Sequence, residues 1–194
     1  MKTLLRIDGS PRKETSISRQ LATTLQEHLQ REGDIVLHRD VYYDDLVQLG
    51  NQDQVDAFFT PENQQTEAQK AAVYNSNVLA QEFANADTYI ITSPMYNFSV
   101  TAGLKTYIDS ISRAGISFQY TENGPIGLLK DKKAYVIITT GGTKLKSPVD
   151  HVTTYLTTFL NFLGITDITF IPADEVVANQ DLAISNAKEL ISTF

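Results

Sequence analysis

The sequence has 194 residues, of which 42% are hydrophobic and 20% are charged, as in a globular protein with one well-buried core. Its formal net charge of −7 argues against nucleic acid and anionic membranes as partners, because both require a positive surface. There is no cysteine, which excludes disulfides, thiol catalysis and cysteine-ligated zinc. The first ten residues, MKTLLRIDGS, carry charges, and no apolar stretch reaches membrane length. We therefore expect a cytoplasmic protein with a single domain over residues 1–194.

Short apolar segments alternate with longer amphipathic segments along the chain. The patterns predict strands at residues 3–7, 35–37, 88–92, 134–139 and 168–171, and helices at residues 17–29, 67–83, 101–111, 149–163 and 182–191. This alternation predicts an α/β protein with a doubly wound parallel sheet and helices on both faces. Five strands favour the flavodoxin-like order 2-1-3-4-5 over the six-stranded dinucleotide-binding fold. Two connections, residues 41–59 and 112–131, are long, and long connections are usually functional.

The turn after the first strand has the residue types that a phosphate site needs. Ser10, Ser16 and Ser18 supply hydroxyl donors, and a helix that begins near Ser16 directs free N–H groups and a positive dipole end at the turn. The simpler interpretation is that Ser16 only caps the helix and that the neighbouring basic residues are solvated. The turn has neither GxxxxGK[ST] nor GxGxxG, so a monophosphate suits it better than a triphosphate or a dinucleotide.

The turn after the third strand, PMYNF at residues 94–98, carries large apolar side chains. Met95 and Phe98 can pack against an aromatic ring system, and the backbone around Asn97 offers N–H donors to the rim of such a ring. Alternatively, Met95, Tyr96 and Phe98 are ordinary core residues beneath the next helix.

The turn after the fourth predicted strand contains Gly141 and Gly142. A backbone that closely approaches a flat ligand has no room for Cβ atoms, although two glycines also occur in plain turns. In the predicted topology ligands bind outside the carboxyl ends of the strands, so the three turns should meet. A phosphate at one end and a flat, partly polar ring at the other describe FMN. The cofactor would carry the chemistry, so no catalytic acid–base residue is required, and no cluster has metal-ligand spacing.

Several segments together resemble one family, the FMN-dependent NADH-azoreductases, which are also described as NADH:quinone oxidoreductases. They are GSPR, SPMYNFSV, LKTYIDSISRAGISFQYTENGPIGLL, KDKKAYVIITTGG and VTTYLTTFLNFLGI. The likeness runs nearly end to end and is densest over residues 93–164. It implies a flavodoxin-like homodimer with FMN at the subunit interface, NADH as the electron donor and a quinone or azo compound as the acceptor in a ping-pong mechanism.

The resemblance also assigns roles to residues of this sequence. It implies that FMN is bound by Ser10, Ser16, Ile17, Ser18, Pro94, Met95, Tyr96, Asn97, Phe98, Thr139, Thr140, Gly141 and Gly142, and that Tyr120 and Phe162 line the substrate pocket. The sequence departs from the family at Thr139-Thr140, where relatives usually have serine and often arginine, and at residues 144–148, where many have glycine before proline. Both departures border the substrate space and leave the substrate range and the choice between NADH and NADPH open.

Three other functions are known for similar topologies. A non-enzymatic, flavodoxin-like electron carrier would share the fold and the acidity but would not need the aromatic residues of a substrate pocket. A receiver domain needs an acceptor aspartate at the end of the third strand, where Ser93 stands. A hydrolase built on Ser10 would need a late histidine, and His151 is expected on the surface at the start of a helix.

Overall fold

The computed structural model describes residues 1–44 and 51–194. The strands are β1 (Thr3–Asp8), β2 (Ile35–Asp40), β3 (Thr88–Pro94), β4 (Phe118–Thr121), β5 (Gly124–Gly127), β6 (Lys133–Thr139) and β7 (Asp167–Ala173). The α-helices are α1 (Ile17–Leu29), α2 (Gln52–Phe59), α3 (Glu67–Asn85), α4 (Ala102–Ile111), α5 (His151–Leu163) and α6 (Val176–Ile191).

Five of these strands form one parallel sheet in the order β2-β1-β3-β6-β7. The other two, β4 and β5, form a separate antiparallel hairpin. With the hairpin left out of the count, the order in the sheet corresponds to the predicted 2-1-3-4-5. The predicted α/β class and five-stranded parallel sheet are confirmed.

The sheet has a hydrophobic core on each face, because alternate residues of its strands point to opposite sides. Leu5, Tyr89 and Val136 pack with buried residues of α3, α4 and α5. Leu4 and Ile137, on the opposite face, pack with buried residues of α1 and α6. Coverage of both faces explains why the central strands are nearly continuous apolar runs.

Several element boundaries differ from the sequence prediction by one to three residues, and the start of α6 differs by six. Strand β3 continues to Pro94, which pairs in register with Thr139, so the proline is the last residue of the strand. Helix α6 begins at Val176 and has non-helical backbone angles at Asn179. The Asn179 side chain accepts a hydrogen bond from the Leu182 N–H (3.0 Å). This internal cap accounts for a helical pattern that starts only at residue 182.

Both long connections contain regular structure. The connection at residues 41–59 contains α2, and its residues 45–50 lie outside the described residues. The connection at residues 112–131 contains the β4–β5 hairpin, which lies against the end of α5. A Cβ atom on Gly127 would lie only 2.1 Å from the Gly164 nitrogen, so only glycine allows this contact.

Gly9 holds the turn after β1 against the ends of β3 and α4. Its N–H donates to the Thr92 carbonyl (3.1 Å), and its carbonyl accepts from the Thr101 hydroxyl (2.7 Å). A Cβ atom here would lie 2.2 Å from the Thr92 carbonyl oxygen, which is backbone and cannot move cheaply.

We expect Gly9→Ala to lower the free energy of unfolding of the ligand-free protein by about 1–3 kcal/mol, the usual cost of overpacking. Urea denaturation measures the change. Gly142→Ala is the matched control, because nothing in the described structure lies within 4 Å of a Cβ atom there. Equal stability of the two variants would show that the backbone contact at Gly9 does not require glycine.

Candidate functional site

The three predicted turns meet around a cavity of about 350 Å³ at the carboxyl ends of β1, β3 and β6. Its lining consists of Ser10, Arg12, Thr15, Ser16, Ile17, Pro94, Met95, Tyr96, Thr139, Thr140, Gly141, Val176 and Val177. Of the residues assigned to FMN binding from the sequence, Ser18, Asn97, Phe98 and Gly142 do not line this cavity. The others do, and the structure adds Arg12 and Thr15 from the first turn and Val176 and Val177 from the start of α6.

The turn after β1 leads into the N-terminus of α1. The Ser16 hydroxyl caps the helix by accepting from the Arg19 N–H (3.4 Å), and the buried Ser18 hydroxyl lies 3.2 Å from it. Within the described structure, the N–H groups of Ile17 and Ser18 have no hydrogen-bond acceptor. A helix N-terminus with free N–H groups and a positive dipole end is a favourable site for an anion.

The turn after β3 is strained and displays its side chains. Asn97 and Phe98 have positive φ angles of 50° and 68°, which are costly for residues other than glycine. Mutual backbone hydrogen bonds between Tyr96 and Ser99 (3.0 and 3.1 Å) close the turn. Phe98 is 51% exposed and Tyr96 is 42% exposed, so the alternative that both are core residues is wrong. Met95 packs against the core and also lines the cavity.

The turn after β6 is joined to the start of α6 through its carbonyl groups. The carbonyls of Thr140 and Gly141 accept from the first residues of α6 at 3.0 Å. The N–H groups of Gly141 and Gly142 have no acceptor in the described part of the chain. Neither glycine has a positive φ angle, and a Cβ atom on Gly141 would meet only Val177, at 3.6 Å. The fold itself therefore does not require glycine at either position.

A cluster of buried charges, which the sequence patterns did not predict, lies behind the first turn. The Arg19 guanidinium donates to both carboxylate oxygens of Asp40 (2.5 and 2.9 Å) and to the Ser10 carbonyl (2.6 Å). It also lies 3.3 Å from the Asp8 carboxylate. Arg19 thus ties the ends of β1 and β2 to the turn that lines the cavity. The feature of the sequence that could have indicated this cluster is the position of Asp8 and Asp40 at the ends of two strands of the sheet.

Asp8 is the most buried carboxylate of this cluster, with its side chain 1% exposed. Burial raises its pKa, but hydrogen bonds from His38 (2.9 Å) and Arg6 (3.0 and 3.1 Å) outweigh burial and hold the pKa below its ordinary value. Asp8 is therefore charged at neutral pH and stabilises the folded chain through these bonds.

Tyr120 and Phe162, assigned to the substrate pocket from the sequence, do not line this cavity. Tyr120 is 68% exposed and lines a second groove. Phe162 packs against Phe118, with ring centroids 4.6 Å apart, and Phe118 in turn contacts Tyr120 at 5.3 Å. The two residues are therefore linked to each other through Phe118 but not to the turns in the same chain.

Among residues 1–44 and 51–194, no group of three or more histidine, aspartate or glutamate side chains could hold a metal ion. In the same ranges, no helix combines the length and the hydropathy that crossing a membrane requires.

Comparison with known proteins places this geometry in a family. A family model described as a flavodoxin-like fold matches residues 1–193. The chain belongs to this flavodoxin-like family. It is 44% identical over 191 residues to FMN-dependent NADH:quinone oxidoreductase 1 of Hahella chejuensis, covering 97% of this chain and 93% of that protein. It is 42% identical over 197 residues to the FMN-dependent NADH:quinone oxidoreductase of Burkholderia thailandensis, covering 99% of each.

A solved structure of similar architecture is the FMN-dependent NADH-azoreductase from Bacillus anthracis str. Ames Ancestor in complex with FMN. It aligns with a TM-score of 0.89 at 26% identity, covering 100% of this chain and 97% of that chain.

We expect Asp8→Asn to destabilise the protein at pH 7 by about 1–3 kcal/mol, because it removes a charged partner from buried cations. A carboxylate whose pKa is lowered by folding stabilises the folded protein at neutral pH, and this stabilisation is lost as the pH falls through the folded-state pKa, which lies below the ordinary value. The difference from the unmodified protein should therefore narrow in acid. Urea denaturation across a pH series, with the exposed Asp181→Asn as control, measures it. A difference that does not depend on pH would contradict the assignment.

Proposed function

We propose that the protein is an FMN-dependent oxidoreductase that uses NADH to reduce quinones and azo compounds. The observation that carries this proposal is the convergence of three turns on one cavity that has a helix N-terminus at one side. Among the described residues, the first and third of these turns have N–H groups without an acceptor. The names of the relatives and the FMN complex of the similar azoreductase support it.

The residues around the cavity fit FMN. The N–H groups of Ile17 and Ser18 and the hydroxyls of Ser10 and Ser16 would hold its phosphate. Bound FMN supplies the hydride-transfer chemistry, which no side chain of this protein provides. The apolar side chain of Met95 offers packing for a ring system.

The polar rim of the ring would be held by the backbone of the other two turns. The N–H group of Gly141, which has no acceptor among the described residues, would donate to the pyrimidine edge. Gly142, Asn97 and Phe98 follow lining residues along the chain and would contact the ring from outside the cavity lining. Donors placed there favour the negative charge that reduction introduces. Thr139 and Thr140 would contact FMN because both line the cavity. The Thr140 hydroxyl accepts a hydrogen bond from the Glu175 N–H (3.0 Å), which holds this turn in position.

An enzyme is favoured over a non-enzymatic electron carrier, because the two relatives compared above are named as enzymes. We further propose that the chain is one cytoplasmic domain that acts as a homodimer. Tyr120 and Phe162 are outside the cavity of their own chain, so their proposed role in the substrate pocket requires a second copy. Measurement of the reaction rate with NADPH in place of NADH would show whether the protein accepts both donors.

Gly141→Val tests the flavin assignment. Its first added carbon has room in the protein, so unfolding of the ligand-free protein should change little. A flavin edge that is bound against the Gly141 backbone leaves no room for the valine side chain. Because this overpacking is unfavourable, we expect FMN to bind about tenfold or more weakly. Fluorescence titration and thermal unfolding measure the two effects. Equal losses of FMN affinity and of stability would favour a plain turn.

Initial rates test the reaction. Because NADH and the acceptor would use the same cavity in turn, double-reciprocal plots at several fixed quinone concentrations should give parallel lines. Intersecting lines would exclude the ping-pong sequence. An absence of quinone-dependent NADH oxidation by the FMN-loaded protein would instead favour the electron carrier.

A further inference from the structure

Tyr43 follows β2 and contacts the turn after β1 through both parts of its side chain. Its hydroxyl donates to the Pro11 carbonyl (2.8 Å), and the Lys13 ammonium lies 4.0 Å from the centre of its ring. Tyr43 is 52% exposed, so burial of apolar area accounts for only part of its place in the fold. Its specific contacts are with the turn that lines the proposed FMN cavity.

The backbone of Tyr43 is fixed to the end of β2. The N–H groups of Tyr43 and Asp44 both donate to the Asp40 carbonyl (3.1 and 2.9 Å), and the Tyr42 N–H donates to the Asp40 carboxylate (3.2 Å). Asp40 is the last residue of β2 and pairs in register with Asp8 of β1. The Tyr43 side chain is therefore attached to the sheet at a defined position.

Two consecutive carbonyls of the turn are held from Asp40 by separate routes. The Arg19 guanidinium bonds to both oxygens of the Asp40 carboxylate and donates to the Ser10 carbonyl (2.6 Å). Tyr43, whose backbone bonds to Asp40, donates to the next carbonyl, that of Pro11. The path of the chain from Ser10 towards α1 thus depends on an arginine and on a tyrosine.

The two basic residues after Pro11 have different surroundings. Arg12 lines the cavity, and its N–H donates to the Ser10 hydroxyl (3.2 Å). Lys13 is not part of the cavity lining, and its ammonium lies over the Tyr43 ring in a cation–π contact. The ring therefore holds one of two adjacent cations away from the cavity lining, while the other cation stays in it.

We propose that Tyr43 is a positioning residue for the phosphate of FMN, which holds residues 10–16 in the geometry that binds the phosphate without touching the cofactor. This inference rests on the proposed function, since it requires FMN at this turn. A turn that is already ordered loses little conformational freedom when a ligand binds, and that loss would otherwise be subtracted from the affinity. Riboflavin has no phosphate, so its affinity does not depend on the order of this turn.

Titrations of the ligand-free protein with FMN and with riboflavin, followed by flavin fluorescence, test the proposal. Tyr43→Phe keeps the ring and loses the hydroxyl, and we expect FMN to bind about 2- to 10-fold more weakly, as for one net hydrogen bond. Tyr43→Leu also removes the contact with Lys13, and FMN should bind about 5- to 50-fold more weakly. Riboflavin affinity should not change in either variant. Tyr74→Phe, which alters a tyrosine on α3 that is 65% exposed, is the matched control and should change neither affinity.

Hydrogen exchange in the ligand-free protein tests the same contact without a flavin. The Ser16 N–H donates to the Lys13 carbonyl (3.1 Å) within the turn. If Tyr43 orders the turn, this N–H should exchange about 2- to 10-fold faster in Tyr43→Phe, through local opening. Exchange in the central strands of the sheet should stay the same.

Each other outcome decides against one of the two claims. Unchanged FMN affinity in Tyr43→Phe, or an equal loss of affinity for FMN and for riboflavin, would overturn the role of Tyr43 in positioning the phosphate turn. Unchanged exchange of the Ser16 N–H would overturn it as well. An unmodified protein that binds neither flavin would instead contradict the proposed function, and with it any role of Tyr43 towards FMN.

Discussion

The close backbone contact between Gly9 and Thr92 is the constraint on which the site depends. The Gly9 N–H donates to both the carbonyl and the hydroxyl of Thr92 (3.1 and 3.0 Å), and the Thr101 hydroxyl donates to the Gly9 carbonyl. These bonds join the turn after β1 to the end of β3 and to the cap of α4. Since β3 pairs with β6, whose Thr139 carbonyl accepts from the Met95 N–H (2.8 Å), all three turns are held in one frame. Preorganised donors of this kind need no rearrangement when a ligand binds.

The ion pairs of Arg19 also hold the first turn in place. Arg19 bonds at once to Asp40 and to the Ser10 carbonyl, so it resists any movement of the first turn away from the strand ends. Its charge is compensated by Asp8 and Asp40, and the N–H groups of Ile17 and Ser18 are left for an anion in the cavity.

The sequence predicts the sheet well because the apolar runs of its central strands are long and continuous. It also locates the three turns, since proline, glycine and clustered serines are the residue types that mark strand ends, turns and helix N-termini. It does not predict Arg19 or the break at Asn179, because both depend on which polar groups meet in space. The exposure of Phe98 follows from a positive φ angle, which apolar composition alone does not indicate. That Tyr120 and Phe162 do not line the cavity depends on where the hairpin and the end of α5 lie, which neither residue's type reveals.

The central claim is that these turns bind one flavin by its phosphate and by the rim of its ring. Titration of the ligand-free protein with FMN and with riboflavin, which lacks the phosphate, tests it most directly. Charged hydrogen bonds at the α1 N-terminus predict FMN binding about 100-fold tighter than riboflavin, and equal affinities for the two flavins would contradict this claim.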